Sequence, residues 1–581
     1  MYVKNVAYLL ITLSSLILLG CGGGSGGSVM NGDDTPNIEE NLTFDDTQLR
    51  EGNLTLDDFE NVTRHATSFT STHFSGAQNC AQCHDGITDT NNSKDVSIVQ
   101  AWKGTMMDNG SIDPLYLAKV ASEVQRNPNF KEVIEEKCSR CHMPMANVEA
   151  GFSGDPIAIF GDGFLNPDNI HYNQAKDAVS CTLCHQIEDT ATLGTKAGFS
   201  GGFVIDTNNT GTDRKTYGPY ISPKAQPMIN NVKFTPKYSA HMNDSKLCAS
   251  CHNLDTPVIN AAGHLTDPLM LFPEQAVYTE WEYSDFNATK SCQECHMPRS
   301  EGSVVISTKG GNLSARSPFY KHQFLGANTY MLEIIKNNRD KLGAIAGATT
   351  FDKSIANTRA FLKAAADVNI TTISFENGTL NFSVLVSNHS GHKFPTSLPS
   401  RRAWLYVKVV KTSDQTTVFE SGAFNSKGHI IGVDDTEGYE VHYSTIDDPS
   451  EVQVYEPIMA DTDNKQTYTF MQASRYLKDN RILPKGFKRT TPASAQTYGE
   501  ALNDDDFVGG SDTVKYKISN LAKNENYTIT VTLQYQTASY GFMQDLYRDV
   551  NLTSVALMKV LDEGTENHFE TVSTDTKSIT P

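Results

Sequence analysis

The sequence predicts an α+β, multidomain chain. A loop-rich helical part comes first, and an antiparallel β-sandwich-like part follows. Three observations carry this. Five copies of Cys-x-x-Cys-His crowd between residues 80 and 296 and then stop. From about residue 369, apolar and polar residues begin to alternate, as in Leu380, Phe382, Val384 and Val386. Segment 186–240, between the third and fourth motifs, is rich in Gly, Thr, Asn and Pro and reads as loop.

Taken in order, residues 1–21 read as an export signal. Lys4 precedes an apolar run from Val6 to Leu19 that is shorter than the ~20 residues a membrane span needs. The run ends in Leu18-Leu19-Gly20-Cys21, which resembles a bacterial lipobox, so Cys21 is the expected lipidation site. An ordinary secretory signal or a retained anchor helix would export the chain equally. Residues 22–72 open with Gly-Gly-Gly-Ser-Gly-Gly-Ser and continue acidic and polar, which predicts a flexible tether.

Residues 73–300 hold the five motifs: Cys80/Cys83/His84, Cys138/Cys141/His142, Cys181/Cys184/His185, Cys248/Cys251/His252 and Cys292/Cys295/His296. This spacing is the attachment site of a c-type haem: two thiols add to the porphyrin, and the adjoining histidine binds its iron. Composition alone predicts roughly 0.006 such matches in a chain of this make-up, and five are present. A zinc site built from paired Cys-x-x-Cys would not need a histidine after each second cysteine. Ten of the eleven cysteines are consumed, which argues against a disulfide framework. The expected cofactors are therefore five covalently bound haems. Segment 186–240 carries no motif and predicts loop with a hairpin.

Residues 301–368 read as a helical connector, with helices over 326–341 and 352–367. In the first, Tyr330, Met331, Ile334 and Ile335 share one face. Residues 369–581 read as the sandwich, with strands near 380–386, 403–411, 513–519 and 527–535 and an interrupting helix at 466–478.

The ligand on the far side of each iron decides what it can do. A second histidine makes a low-potential carrier, a methionine raises the potential, and an open face permits chemistry. His73 and His241 each precede a motif by seven residues, and His171 precedes Cys181 by ten. His392 ends a predicted strand in Gly-His-Lys-Phe-Pro, where a loop would reach back toward the haems. His264, His429, His442 and His568 are assigned ordinary roles.

Several strings give the chain a family resemblance. They are Trp102-Lys-Gly-Thr-Met-Met107 with Asp113-Pro114, Ala178-Val-Ser-Cys181, Glu280-Trp281-Glu-Tyr-Ser284, Asn388-His-Ser-Gly-His392-Lys-Phe-Pro395 and Lys478-Asp-Asn-Arg-Ile-Leu-Pro-Lys-Gly-Phe487. Over roughly 75–560 the chain resembles the cytochrome c-554/c-prime class, in the branch with a C-terminal β-domain. The resemblance implies exported electron-transfer proteins with closely packed haems. His241 and His322 stand where that class often has histidine. Many relatives have an axial histidine where this chain has Met107, which makes Met107 a candidate thioether ligand. Phe286 fills the matching slot after Trp281 and cannot bind iron.

The net charge of −20 disfavours nucleic acid and favours basic redox proteins or metal ions. The expected activity is electron transfer between respiratory partners, other cytochromes among them, or to a metal-oxide or small-molecule acceptor. The expected location is the outer membrane, on its periplasmic or cell-surface face. The alternative is a pentahaem oxidoreductase with one open iron, acting on a small nitrogen or sulfur compound. No Cys-x-x-Cys-Lys motif supports it.

Overall fold

Cysteines at i and i+3 and a histidine at i+4 share a face on any helix, and each motif lies on or beside a short one. The computed structural model describes residues 54–267 and 270–580. The motif helices are α1 (Ala77–His84), α3 (Lys131–His142), α6 (Cys181–Cys184), α7 (Lys246–His252) and α8 (Cys292–His296). Between them run α2 (Pro114–Arg126), α4 (Pro144–Ser153) and α5 (Tyr172–Lys176). Helix α2 starts where its sequence says it should. Pro114 sits in the first turn, and the Asp113 carboxylate accepts from Leu115 N at 2.9 Å and Tyr116 N at 3.4 Å.

The connector folds as α9 (Thr329–Asn337), a further turn at Arg339–Leu342, and α10 (Ala348–Lys363), which begins and ends earlier than predicted because the first strand starts at Ala366. That strand, β1 (Ala366–Glu376), pairs with β2 (Thr379–Asn388), which pairs with β7 (Ser511–Ile518). The facing sheet is built on β3 (Arg402–Lys411) and β8 (Tyr527–Gln536), with β9 (Glu570–Ile579) beyond β8. Three short strands complete the two sheets: β4 (Thr417–Ser421) and β6 (Val454–Tyr455) on β3, and β5 (Thr445–Ile446) on β7. All pairings in these sheets are antiparallel except the two-residue β5–β7 contact. Alternate residues of β2, β3, β7 and β8, among them Val384, Val386, Leu405, Val407, Val514, Ile529 and Val531, interlock between the sheets.

Four expectations change. Residues 54–72 are packed rather than a tether: Phe59 is buried in the main core and the His65 ring meets the Asp177 carboxylate at 3.3 Å. An extended segment buries isolated side chains without any helical or strand period, which is why the sequence hid it. Segment 186–240 forms no hairpin. Its strands Lys215–Gly218 and Thr235–Tyr238 pair in parallel, with a helix at Ala225–Val232 between them. Residues 466–478 are not a helix but a short 3₁₀ turn at Phe470–Gln472 leading into strand Arg475–Asp479, which pairs with Pro457–Ala460. Finally, the main core crosses the boundaries drawn at 300 and 368. Helix α11 (Thr553–Glu563) packs on α2, and Arg126 reaches Asp545 at 2.6 Å and Asp549 at 2.8 Å. Residues 1–21, with Cys21, and most of the tether lie outside the described residues.

Candidate haem sites

All ten motif thiols are free and half-buried. Four of the five motif histidines point Nδ1 at a backbone carbonyl: His84 at Ile306 O (2.6 Å), His142 at Gly110 O (3.0 Å), His185 at Tyr217 O (2.6 Å) and His296 at Leu325 O (2.5 Å). A ring that donates from Nδ1 keeps its lone pair on Nε2, turned to a metal and made more basic by the hydrogen bond. His252 has no such anchor among the described residues. Burial depresses the pKa of all four anchored rings, that of His142 to about 4, so they are neutral, as ligation requires.

Two of these histidines face a second imidazole. The ring centroids of His185 and His322 lie 6.4 Å apart with planes 20° from parallel; those of His296 and His392 lie 6.2 Å apart at 24°. Both distances are too long for stacking. An imidazole nitrogen binds a transition metal at about 2.0 Å, so two rings sharing one atom need centroids roughly 6.3 Å apart. The partner rings also spend Nδ1 on backbone carbonyls, His322 on Tyr320 O and His392 on Lys393 O, each at 3.1 Å. In both pairs Nε2 is left for the metal. The donor set fits haem iron with two axial histidines.

Residues 79–186, spanning the first three motifs, match the family described as cytochrome c554 and c-prime. Over that stretch the chain is similar to c-type cytochromes of that family. The crystal structure of a penta-haem cytochrome c552 from Thermochromatium tepidum aligns with this chain at a TM-score of 0.49 and 15% identity, covering 87% of this chain and 99% of that one. A search of curated proteins gave no match.

Other expected ligands are differently engaged. His73 is fully buried, with Nδ1 on Glu149 at 3.0 Å and Nε2 on Thr207 O at 3.1 Å. His241 has Nδ1 on Ser239 Oγ at 2.6 Å and Nε2 on Ile187 O at 2.9 Å. With both nitrogens occupied, neither ring has one to offer a metal in this arrangement. His171 turns Nε2 to Asp155 at 2.9 Å and keeps Nδ1 buried without a partner. Met107 packs in a small apolar cluster with Val99, Trp102, Cys80 and Cys181, beside the first and third motifs. No second imidazole faces His84, His142 or His252 at ligand spacing among the described residues. Instead, the ring of Tyr116 stacks on His142 at 3.7 Å, 4° from parallel.

The motifs are joined in an order that the sequence does not show. Thiols of different motifs lie close together in three pairs: Cys80 with Cys181, Cys141 with Cys251, and Cys248 with Cys292. Cys184 lies close enough to Cys248 and Cys251 for their charges to interact. These sulfurs stand for the thioether atoms that an attached haem would make of them. The fourth motif therefore borders the second, third and fifth, while the first borders the third. An open cavity of about 520 Å³, lined by Asp244, Ser245, Lys246, Tyr278, Trp281 and Ser291, adjoins the junction of the fourth and fifth.

Cys83 differs from its motif partner Cys80. Its thiol joins none of the three pairs, and it is tied down through its backbone instead. The Cys83 carbonyl accepts from Thr308 N at 2.8 Å and from Thr308 Oγ1 at 3.2 Å. Its assignment to the first haem therefore rests on the motif spacing, whereas Cys80 is also marked by its contact with the third motif. Cys138 and Cys295 likewise stand outside the pairs. Cys138 packs against the main core, and burial pushes both thiols above their ordinary pKa.

The β part has one further cluster of metal-competent groups, His442, Asp504 and Asp512. Its hydrogen bonds tell against a metal. Nδ1 of His442 accepts from Gln453 Nε2 at 2.8 Å and Asn480 Nδ2 at 3.1 Å. Both amides are fixed the right way round, because their oxygens accept from the backbone N–H groups of Tyr443 and Glu456. Nε2 must then carry the proton, which it donates to Asp504 at 3.2 Å. A metal would have to displace it and leave an imidazolate.

Proposed function

We propose that this cytochrome conducts electrons through five covalently held haems. When bound, each haem would take up and release one electron. What the protein does is hold the centres close together and choose their ligands. One observation carries the reading: motif sulfurs of different sites lie close together in the pairs 1–3, 2–4 and 4–5, and Cys184 of the third motif lies near Cys248 of the fourth. The paired histidines support it, since two axial imidazoles saturate an iron and suit it to electron transfer rather than chemistry.

In this reading the chain is exported and anchored by a lipid on Cys21, and it passes electrons between redox proteins or to a terminal acceptor. The acidic surface suits a basic partner. A second reading, a haem oxidoreductase, is kept by the three motif histidines that face no second imidazole. Low-temperature EPR and optical spectra of the purified protein, with a haem assay and with nitrite or cyanide added, test both. Five haems per chain, all low-spin and indifferent to added ligand, are expected of a conduit. Fewer than five haems would overturn the conduit as described. A high-spin component that shifts with nitrite would move the reading to an enzyme.

A further inference from the structure

Four buried charged residues surround the loop that carries His392. Lys393 and Glu280 are 0% exposed, Asp479 1% and Arg481 6%. They come from three distant segments. The backbone N–H of Lys393, the residue next to His392, donates to Glu280 Oε2 at 3.0 Å. The Lys393 ammonium donates to Asp479 Oδ2 at 2.6 Å and to Gln496 O at 3.1 Å. The Arg481 guanidinium grips Asp479 through two bonds of 2.8 Å and lies 3.0 Å from Glu280 Oε1. Two cations and two anions cancel.

Burying four charges costs several kcal/mol per ion before pairing offsets it, so such a network is a poor means of adding stability. What it does with certainty is fix a position. Asn388 Nδ2 bridges His392 O and Ile482 O, at 2.8 Å each, and Ser390 Oγ also donates to His392 O at 2.8 Å. A Cβ on Gly391 would stand 3.1 Å from Trp281 and 3.3 Å from Phe286, so the loop is pressed flat against those rings. The Glu280-Trp281, Gly391-His392-Lys393 and Asp479-Asn480-Arg481 strings of the sequence thus converge on one place.

We infer that Glu280, Lys393, Asp479 and Arg481 are positioning residues that hold His392 opposite His296 and set, through their balanced charges, the reduction potential of the iron the two rings would share. This rests on the conduit reading above. Adding one electron lowers the charge at the iron by one. An unpaired cation nearby therefore favours the reduced form and an unpaired anion the oxidised form.

Spectroelectrochemical titration of the full-length protein, followed by EPR, tests this. The His296/His392 haem is identified as the signal that His392→Ala removes. Glu280→Gln keeps the shape and acceptor oxygen but deletes an anion, and should raise that haem's midpoint potential. Lys393→Gln deletes a cation and should lower it. The double variant restores neutrality and should return the potential toward wild type. Opposite shifts confined to this haem support the inference. No shift, or shifts in the same direction, overturns it, since a purely structural role has no reason to change sign with charge. Thr396→Val removes a 3.1 Å bond to Glu280 without altering charge, and should leave the potential where it was; a shift as large as that of Glu280→Gln would also overturn the inference. If His392→Ala leaves the low-spin count unchanged, the two-histidine reading of that site falls as well.

Discussion

In the β part, apolar side chains meet one another; around the motifs, cysteines and histidines meet instead. Strands β2, β3 and β8 bury Val386, Leu405 and Val531 completely against apolar neighbours. The second motif packs against the main core, but near the others the apolar clusters are small, such as Ala77, Val99 and Trp102, or Ile87, Val96, Val304 and Phe319. The motif thiols and four of the five motif histidines sit half-covered, and His252 is exposed. One part is a core that a chain can complete alone. The other lacks the apolar surface to offset chain entropy until porphyrins supply it.

The sharpest break of this comparison removes the cofactor. In haem-free polypeptide, hydrogen exchange followed by mass spectrometry should show β2, β3 and β8 still protected. Helices α1, α6, α7 and α8 should exchange within the dead time, a difference of several orders of magnitude. Equal protection in both parts would end the argument.

A smaller perturbation asks which histidines matter. His322→Ala and His392→Ala should each convert one low-spin haem to high-spin and leave the other signals in place. His73→Ala and His241→Ala should leave the number of low-spin haems unchanged, because both rings are committed to hydrogen bonds. The reverse pattern would mean that those bonds rearrange when haem is attached.

The smallest effect belongs to the β core. Burial raises the Asp512 carboxyl to about 7, and its Oδ1 accepts no hydrogen bond. A raised carboxyl stabilises the fold most at low pH. That contribution is present in full below the ordinary carboxylate pKa and is lost as pH rises through 7. Asp512→Asn mimics the protonated form. Its stability advantage over wild type should therefore grow between pH 4 and 7, by at most roughly 1.4 kcal/mol for each step of one in pH, and level off above. A difference independent of pH, read from urea unfolding, would refute it.

The same contrast explains what could be read from the sequence. A motif that must converge on one flat cofactor is local, so spacing alone marks all five candidate sites. The strands were legible because alternation is local too. The ligand pairs were not. Spacing to the nearest motif favoured His73 and His241, yet the ring facing His185 is His322 and the ring facing His296 is His392. The order in which motifs touch is likewise a property of the folded chain. Cys80 and Cys83 are equals in the motif, yet only Cys80 meets a thiol of another motif. The burial of Lys393 beside Asp479 is a further case, which no composition or period announces.

The last feature has a consequence for biosynthesis. Every attachment motif has been translated by residue 296, but the clamp on His392 includes Asp479 and Arg481 and is complete only after residue 481. Haem attachment at the fifth motif and pairing of its histidine with His392 would then be separable steps. A nascent or truncated chain would carry that haem with one face uncovered. Its change from high-spin to low-spin would mark the moment at which the far end of the polypeptide has arrived and locked.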